Sequence, residues 1–337
     1  VSARWRQMVR GGVGVLGLLG VLLLASGCGA GAPERGSLPG CPDGELVSGA
    51  SQLVDRLASA APGDVLLLRP GTYEGHFVID RSGSATAPVV LCGGRDAVLD
   101  GGSTADGYAL HLEGADHWRV TGVTVRGAAK GIVLDGSSDN EIVGVAVERT
   151  GEEGVHLRRH SSRNIVRDST VTGTGLARRD IGEGIYVGSA EGSWCRLTSC
   201  EPDRSDGNRV VGNRVSETSA EPIDVKEGTT GGLLSGNHLD GTGSDADSLI
   251  DVKGNGWTVE GTIGAGSSGD GAAVYRILDG WGQGNVFRGN RFEVPASGWA
   301  VQIVGPARSQ GNLVDCTNVA AVSGRPETAR VTPGGCR

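Results

Sequence analysis

The residues best suited to chemistry stand in two copies of one short segment. Pro222-Ile223-Asp224-Val225-Lys226 and Leu249-Ile250-Asp251-Val252-Lys253 share an Ile-Asp-Val-Lys core, repeated 27 residues apart. In a strand alternate side chains face opposite sides, so Ile and Val turn inward while Asp and Lys turn outward. That spacing is about one rung of a parallel β-solenoid, whose stacked strands lie ~4.8 Å apart. Stacking would set Asp224 beside Asp251 and Lys226 beside Lys253. Two carboxylates that close repel unless a cation sits nearby or one keeps its proton. Lys226 and Lys253 are the nearest counter-charges. The group can do acid–base work, hold a hard cation, or merely solvate the sheet face as a salt-bridge grid.

Neighbouring rungs extend the pattern. Aligned strands include Gly131-Ile132-Val133-Leu134, Gly154-Val155-His156-Leu157, Gly184-Ile185-Tyr186-Val187, Val274-Tyr275-Arg276-Ile277 and Ala300-Val301-Gln302-Ile303. Down their outward position run Val133, His156, Tyr186, Asp224, Asp251, Arg276 and Gln302, with Glu183 and Glu221 at the preceding corners. Titratable groups therefore gather on about five middle rungs, as a groove-binding site requires. His156 and Tyr186 are expected at the rim toward substrate.

The elements that must position these residues form one repeat. Glycine is extreme at 60 residues, against Trp 6, Tyr 4 and Phe 3, a composition suited to many tight turns between short strands. Asparagine recurs at corners, from Asn140, Asn164 and Asn208 to Asn312. Residues 48–61 have helical apolar spacing and predict a short cap helix, closing the strand edge that a solenoid end exposes. The expected fold is all-β, a single-stranded parallel β-helix (solenoid) over residues 41–337 with that N-terminal cap helix. Two segments exceed the repeat: the basic 177–181 and the longer 189–208. Solenoid insertions collect on one face, so both are expected to wall a groove beside strand 184–187, with Trp194 available to stack on sugar.

Residues 1–28 read as a lipoprotein signal peptide. Arg4, Arg6 and Arg10 precede a short apolar run that ends in the lipobox-like Leu24-Ala25-Ser26-Gly27-Cys28, with Cys28 as the lipidated residue. Residues 29–40 read as a flexible tether. The six further cysteines are even in number, and sequence proximity suggests the pairs 195–200 and 316–336, leaving 41–92. An extracytoplasmic, lipid-anchored monomer follows, touching membrane through its anchor only. The formal net charge of −8 argues against nucleic acid as a partner, and no cysteine spacing suits zinc.

The run Ala60-Ala61-Pro62-Gly63-Asp64-Val65-Leu66-Leu67-Leu68-Arg69-Pro70-Gly71-Thr72-Tyr73 resembles the cap and first turn of right-handed parallel β-helix proteins of the pectate-lyase-like superfamily. Glu221-Pro222-Ile223-Asp224-Val225-Lys226, with Arg276 downstream, is similar to the acidic-plus-lysine strand of the chondroitinase B and alginate lyase β-helix family. That family carries two glutamates ahead of its lysine at wider spacing; here Glu221 and Asp224 stand in. The resemblance implies β-elimination on an acidic, uronate-containing polysaccharide. Calcium held by Glu183, Glu221, Asp224 and Asp251 would neutralise the substrate carboxylate. Lys226 or Lys253, its pKa lowered by neighbouring cations, would be the base, and Arg276 would steady the carboxylate or donate a proton. Two other classes use the same residues. A glycoside hydrolase would employ Asp224 and Asp251 as acid and base, and a non-catalytic glycan-binding solenoid would employ only its surface.

Overall fold

The computed structural model describes residues 34–322, 325–327 and 330–337. The expected signal peptide, Cys28 and residues 29–33 of the tether lie outside the described residues. Glu34–Arg337 forms a right-handed β-helix of about 11 turns with three sheets of 12, 11 and 9 strands. Each middle turn gives one strand to each sheet, as in Glu141–Val143, Ala146–Glu148 and Val155–Arg158.

The nine-stranded sheet, called the site sheet below, stacks in sequence order. Its middle strands are Tyr108–Glu113, Lys130–Asp135, Val155–Arg158, Ile185–Val187, Ile223–Val225, Ser248–Val252 and Asp270–Val274. Inward side chains form one continuous core: Ile132, Leu134, Val155, Leu157, Ile185, Val187, Ile223, Val225, Ile250 and Val252 are fully buried. Each such aliphatic side chain stabilises the fold by about 1.5–3 kcal/mol. A register slip by one residue would turn that row out to solvent. The core thus fixes the outward partners: His156 beside Tyr186, Tyr186 beside Asp224, and Asp224 beside Asp251.

Helix α1, Ala50–Ala58, buries Leu53 and Leu57 over the first turn. The tether expected over 29–40 joins the fold at its end, since Arg35–Gly36 pairs antiparallel with Gly44–Val47. Corner asparagines bond from rung to rung: Asn164 Oδ1 accepts the Asn140 N–H at 2.9 Å, and Asn208 Oδ1 accepts the Asn164 N–H at 2.9 Å. Cys41–Cys92, Cys195–Cys200 and Cys316–Cys336 are disulfide-bonded, the three expected pairs. Such bonds belong to an oxidising, extracytoplasmic compartment.

Candidate active site

Asp224 is the centre of the outward face, held on Ile223–Val225 by its two core neighbours and only 1% exposed. Both of its oxygens are taken by lysines. Lys226 Nζ lies 2.6 Å from Oδ2, and Lys253 Nζ donates to Oδ1 at 2.9 Å and to Oδ2 at 3.0 Å. Lys253 also reaches Asp251 Oδ2 at 2.8 Å, while Ser248 Oγ donates to Asp251 Oδ1 at 2.6 Å. Burial favours neutral amines here, but the Asp224 carboxylate outweighs it and holds both lysines above their ordinary range. The expected depression of a lysine pKa is therefore reversed, because each ammonium faces more carboxylates than cations.

Carboxyl oxygens of Glu183, Glu221 and Asp224 lie within 4.8 Å of one another. Burial, then the charge of Asp224, pushes Glu183 up to about 8 and Glu221 up to about 7. Glu183 Oε2 is buried without a hydrogen-bond partner among the described residues. An oxygen-only trio with an orphaned oxygen and mutually repelling charges suits a hard divalent cation. Asp251, expected as a fourth ligand, is not in the trio.

Tyr186 abuts His156 edge-on at 4.4 Å between ring centroids, and Lys226 Nζ lies 5.0 Å from the Tyr186 centroid. Burial, then the nearby carboxylates, raises the phenol well above its ordinary value. Its hydroxyl has no protein partner among the described residues, and the side chain borders an open cavity of about 470 Å³. His156 donates through Nε2 to Gly188 O at 2.9 Å, and its Nδ1 lies 3.2 Å from Glu153. Burial pushes this imidazole down, with Glu153 opposing.

The inserted segments wall that cavity, as expected: Arg178 and Ile181 from one, Ser189, Ala190, Ser193, Arg196 and Leu197 from the other. The second wall contains a helix, α2, Glu191–Leu197, where a longer loop is expected from the sequence. Glu227 Oε1 accepts the Glu191 N–H at 2.7 Å, satisfying one free donor of its first turn. Buried Asp203 anchors the wall by accepting the Arg159 and His160 N–H groups, both at 2.9 Å. It also accepts the hydroxyls of Ser189 and Ser205.

Two further expectations are corrected. Arg276 does not stand in the outward column, because the ladder pairs Asp251 with Ala273 and Val252 with Val274. The Phe292 ring fills the space where a Cβ on Gly271 would sit, which fixes Asp270–Val274 as the strand and leaves Arg276 beyond it, paired with Asp279. Trp194, expected to stack on sugar, is 7% exposed, and its indole N–H donates to Ser189 O. It fastens α2 down instead. Sequence reading also passed over Tyr275, whose ring centroid lies 5.9 Å from Lys253 Nζ. The slipped register had hidden it.

A right-handed β-helix bearing an acid–lysine cluster and a walled cavity on one sheet defines a polysaccharide-lyase-like β-helix. The family model described as "Periplasmic copper-binding protein (NosD)" matches residues 77–271. An alginate lyase from Paenibacillus sp. str. FPU-7 is 34% identical with a TM-score of 0.74, covering 87% of this chain and 96% of that one. The chain belongs to the NosD family and shares a family with that alginate lyase. Pectate lyase Pel9A (18% identity, TM-score 0.57, 74% and 68% coverage) shows likeness of fold alone. Pectate lyase L of Paenibacillus polymyxa (strain SC2) is 33% identical over 114 residues, spanning 31% of this chain but only 25% of that protein.

Proposed function

We propose that this protein cleaves a uronate-containing polysaccharide by β-elimination on the site sheet. The carrying observation is the convergence of two lysine ammonium groups on buried Asp224, beside a tyrosine whose free hydroxyl borders a cavity. Asp224 is too deeply buried to touch a polymer and acts as a positioning residue. Lys226 and Lys253 receive the sugar carboxylate, which acidifies the proton at C5. The Tyr186 phenolate takes that proton, the C5–H electron pair forms the C4–C5 double bond, and the C4–O4 bond breaks. The phenol then returns the proton to the departing oxygen. Ammonium at Lys226 steadies the phenolate, and the raised phenol pKa makes turnover climb toward alkaline pH.

A divalent cation held by Glu183, Glu221 and Asp224 would supply charge to offset those carboxylates and to polarise the substrate carboxylate. The NosD description names copper, which favours nitrogen and sulfur ligands; the all-oxygen trio suits calcium better. The same contacts speak against a hydrolytic Asp224–Asp251 pair, because lysines and Ser248 occupy all four oxygens. The signal peptide with lipidated Cys28 belongs to this proposal, and Cys28→Ser should release the protein from the membrane fraction.

Residues 29–337 tested on alginate, pectate, chondroitin and a neutral glycan provide the test. The expected result is ultraviolet absorbance of an unsaturated uronate rising together with reducing ends, and falling in EDTA. New reducing ends without that absorbance would overturn elimination, and silence on every uronate polymer would overturn the enzymatic reading.

A further inference from the structure

The cavity before the acid–lysine cluster is more than an approach to it. It crosses four successive rungs of the site sheet, from Tyr108 through Lys130 and His156 to Tyr186. At ~4.8 Å per step this is a run of ~14 Å along the solenoid axis. Four cations line it, and two are already spent. Lys130 is bound by Glu152 and Glu153, and Arg158 is clamped by both oxygens of Asp135. Among the described residues Arg178 has only the exposed Asp180, a pairing of little energetic weight. Arg196 makes no ion pair or side-chain hydrogen bond among the described residues. Asp106, the remaining carboxylate of the cavity, stands exposed at its rim.

Arg196 is also held on a stiff carrier. Helix α2 is fastened by buried Trp194, by the Cys195–Cys200 disulfide and by Glu227 at its first turn. An unpaired planar donor fork on a fixed support is the arrangement that recognises a carboxylate in bidentate fashion. We propose that Arg178 and Arg196, lining the cavity from one inserted wall each, form a subsite for the carboxylate of a uronate displaced along the chain from the bond that is cut. The protein then selects runs of consecutive acidic sugars lying along the solenoid axis. The location of the cut rests on the elimination reading; the recognition of charge in the cavity does not.

The test is calorimetric binding of galacturonate oligomers of increasing length at two salt concentrations, beside the same oligomers methyl-esterified, with product absorbance followed in parallel. R196A should weaken binding of longer oligomers about tenfold, or ~1.4 kcal/mol, and flatten the salt dependence while leaving the dimer unchanged. R196K should recover part of the loss, esterified oligomers should not distinguish the variants, and R119A on another sheet should bind like the unmodified protein. If R196A and the R178A/R196A double variant bind long oligomers as the unmodified protein does, the subsite is overturned while elimination can stand. Length-dependent binding through Arg196 without unsaturated product upholds the subsite and overturns elimination. Failure of every acidic oligomer to bind overturns both.

Discussion

Two buried polar networks share the site sheet, and they differ in how their charges balance. In the N-terminal one, Asp135 meets Arg158 and His111, and Glu153 meets Lys130 and His156. Burial works against both carboxylates, yet Asp135 is held well below the ordinary range and Glu153 is held down to about 2. In the C-terminal one, the cations that Glu183, Glu221, Asp224 and Asp251 face among the described residues are Lys226 and Lys253. There burial prevails, and every carboxylate but Asp224 is pushed up. A matched network is satisfied as it stands and serves the scaffold. A mismatched one holds surplus negative charge that a proton, a cation or a substrate-bound cation must relieve, which is the condition of a site.

Four variants or conditions can break or sharpen that contrast. Lys226→Ala should lower kcat on a uronate polymer by about 10²–10³, measured from the rate of unsaturated product, because it removes charge met by the developing enolate. Asp135→Asn should do the opposite kind of damage. It leaves Arg158 buried without its counter-charge and should cost about 3–5 kcal/mol in denaturant unfolding, while elimination by the folded fraction is retained. Equal loss of turnover in both variants would erase the distinction between scaffold and site. Glu183→Gln removes one of the repelling carboxylates, so it should raise the melting temperature at pH 8 and abolish any response to calcium. The smallest effect is on pH. Glu183 and Glu221 have folded-state values of about 8 and about 7, above their ordinary 4.5, so the folded state binds more protons between those limits. Their contribution is full below pH ~4.5 and lost as pH rises through 7 and 8, and thermal unfolding should fall by a few degrees across that window. Calcium should restore the loss at pH 8 by mass action.

Much of this was legible from residue order. The strict apolar alternation of Ile223-Asp224-Val225 and Ile250-Asp251-Val252 leaves one register that buries the aliphatic pairs, and the aligned acids follow from it. The walls were legible too, since extra residues in a fixed repeat must leave the barrel somewhere. Arg276 was not, because Val274-Tyr275-Arg276-Ile277 alternates as plausibly as Gly271-Ala272-Ala273-Val274. A ring arriving from Phe292, on another sheet, decides between them. The lysine charge state was equally hidden. It depends on how many carboxylates converge on each ammonium in space, and three rungs contribute them. Trp194 shows a third limit: an aromatic within an insertion serves sugar or packing according to the local fold, and the helix that settles it carries weak periodicity over only seven residues.

The corner asparagines reach beyond stability. The bond from Asn140 to Asn164 spans 24 residues, and the next, from Asn164 to Asn208, spans 44 at the same distance of 2.9 Å. The ladder is indifferent to how much chain is looped out between its steps. Length added among residues 189–207 leaves the pitch unaltered, so the cavity wall can be lengthened, shortened or exchanged while Asp224 and its lysines stay in step. A lineage built this way can change what its cavity admits by editing one loop, and a protein engineer has the same point of entry.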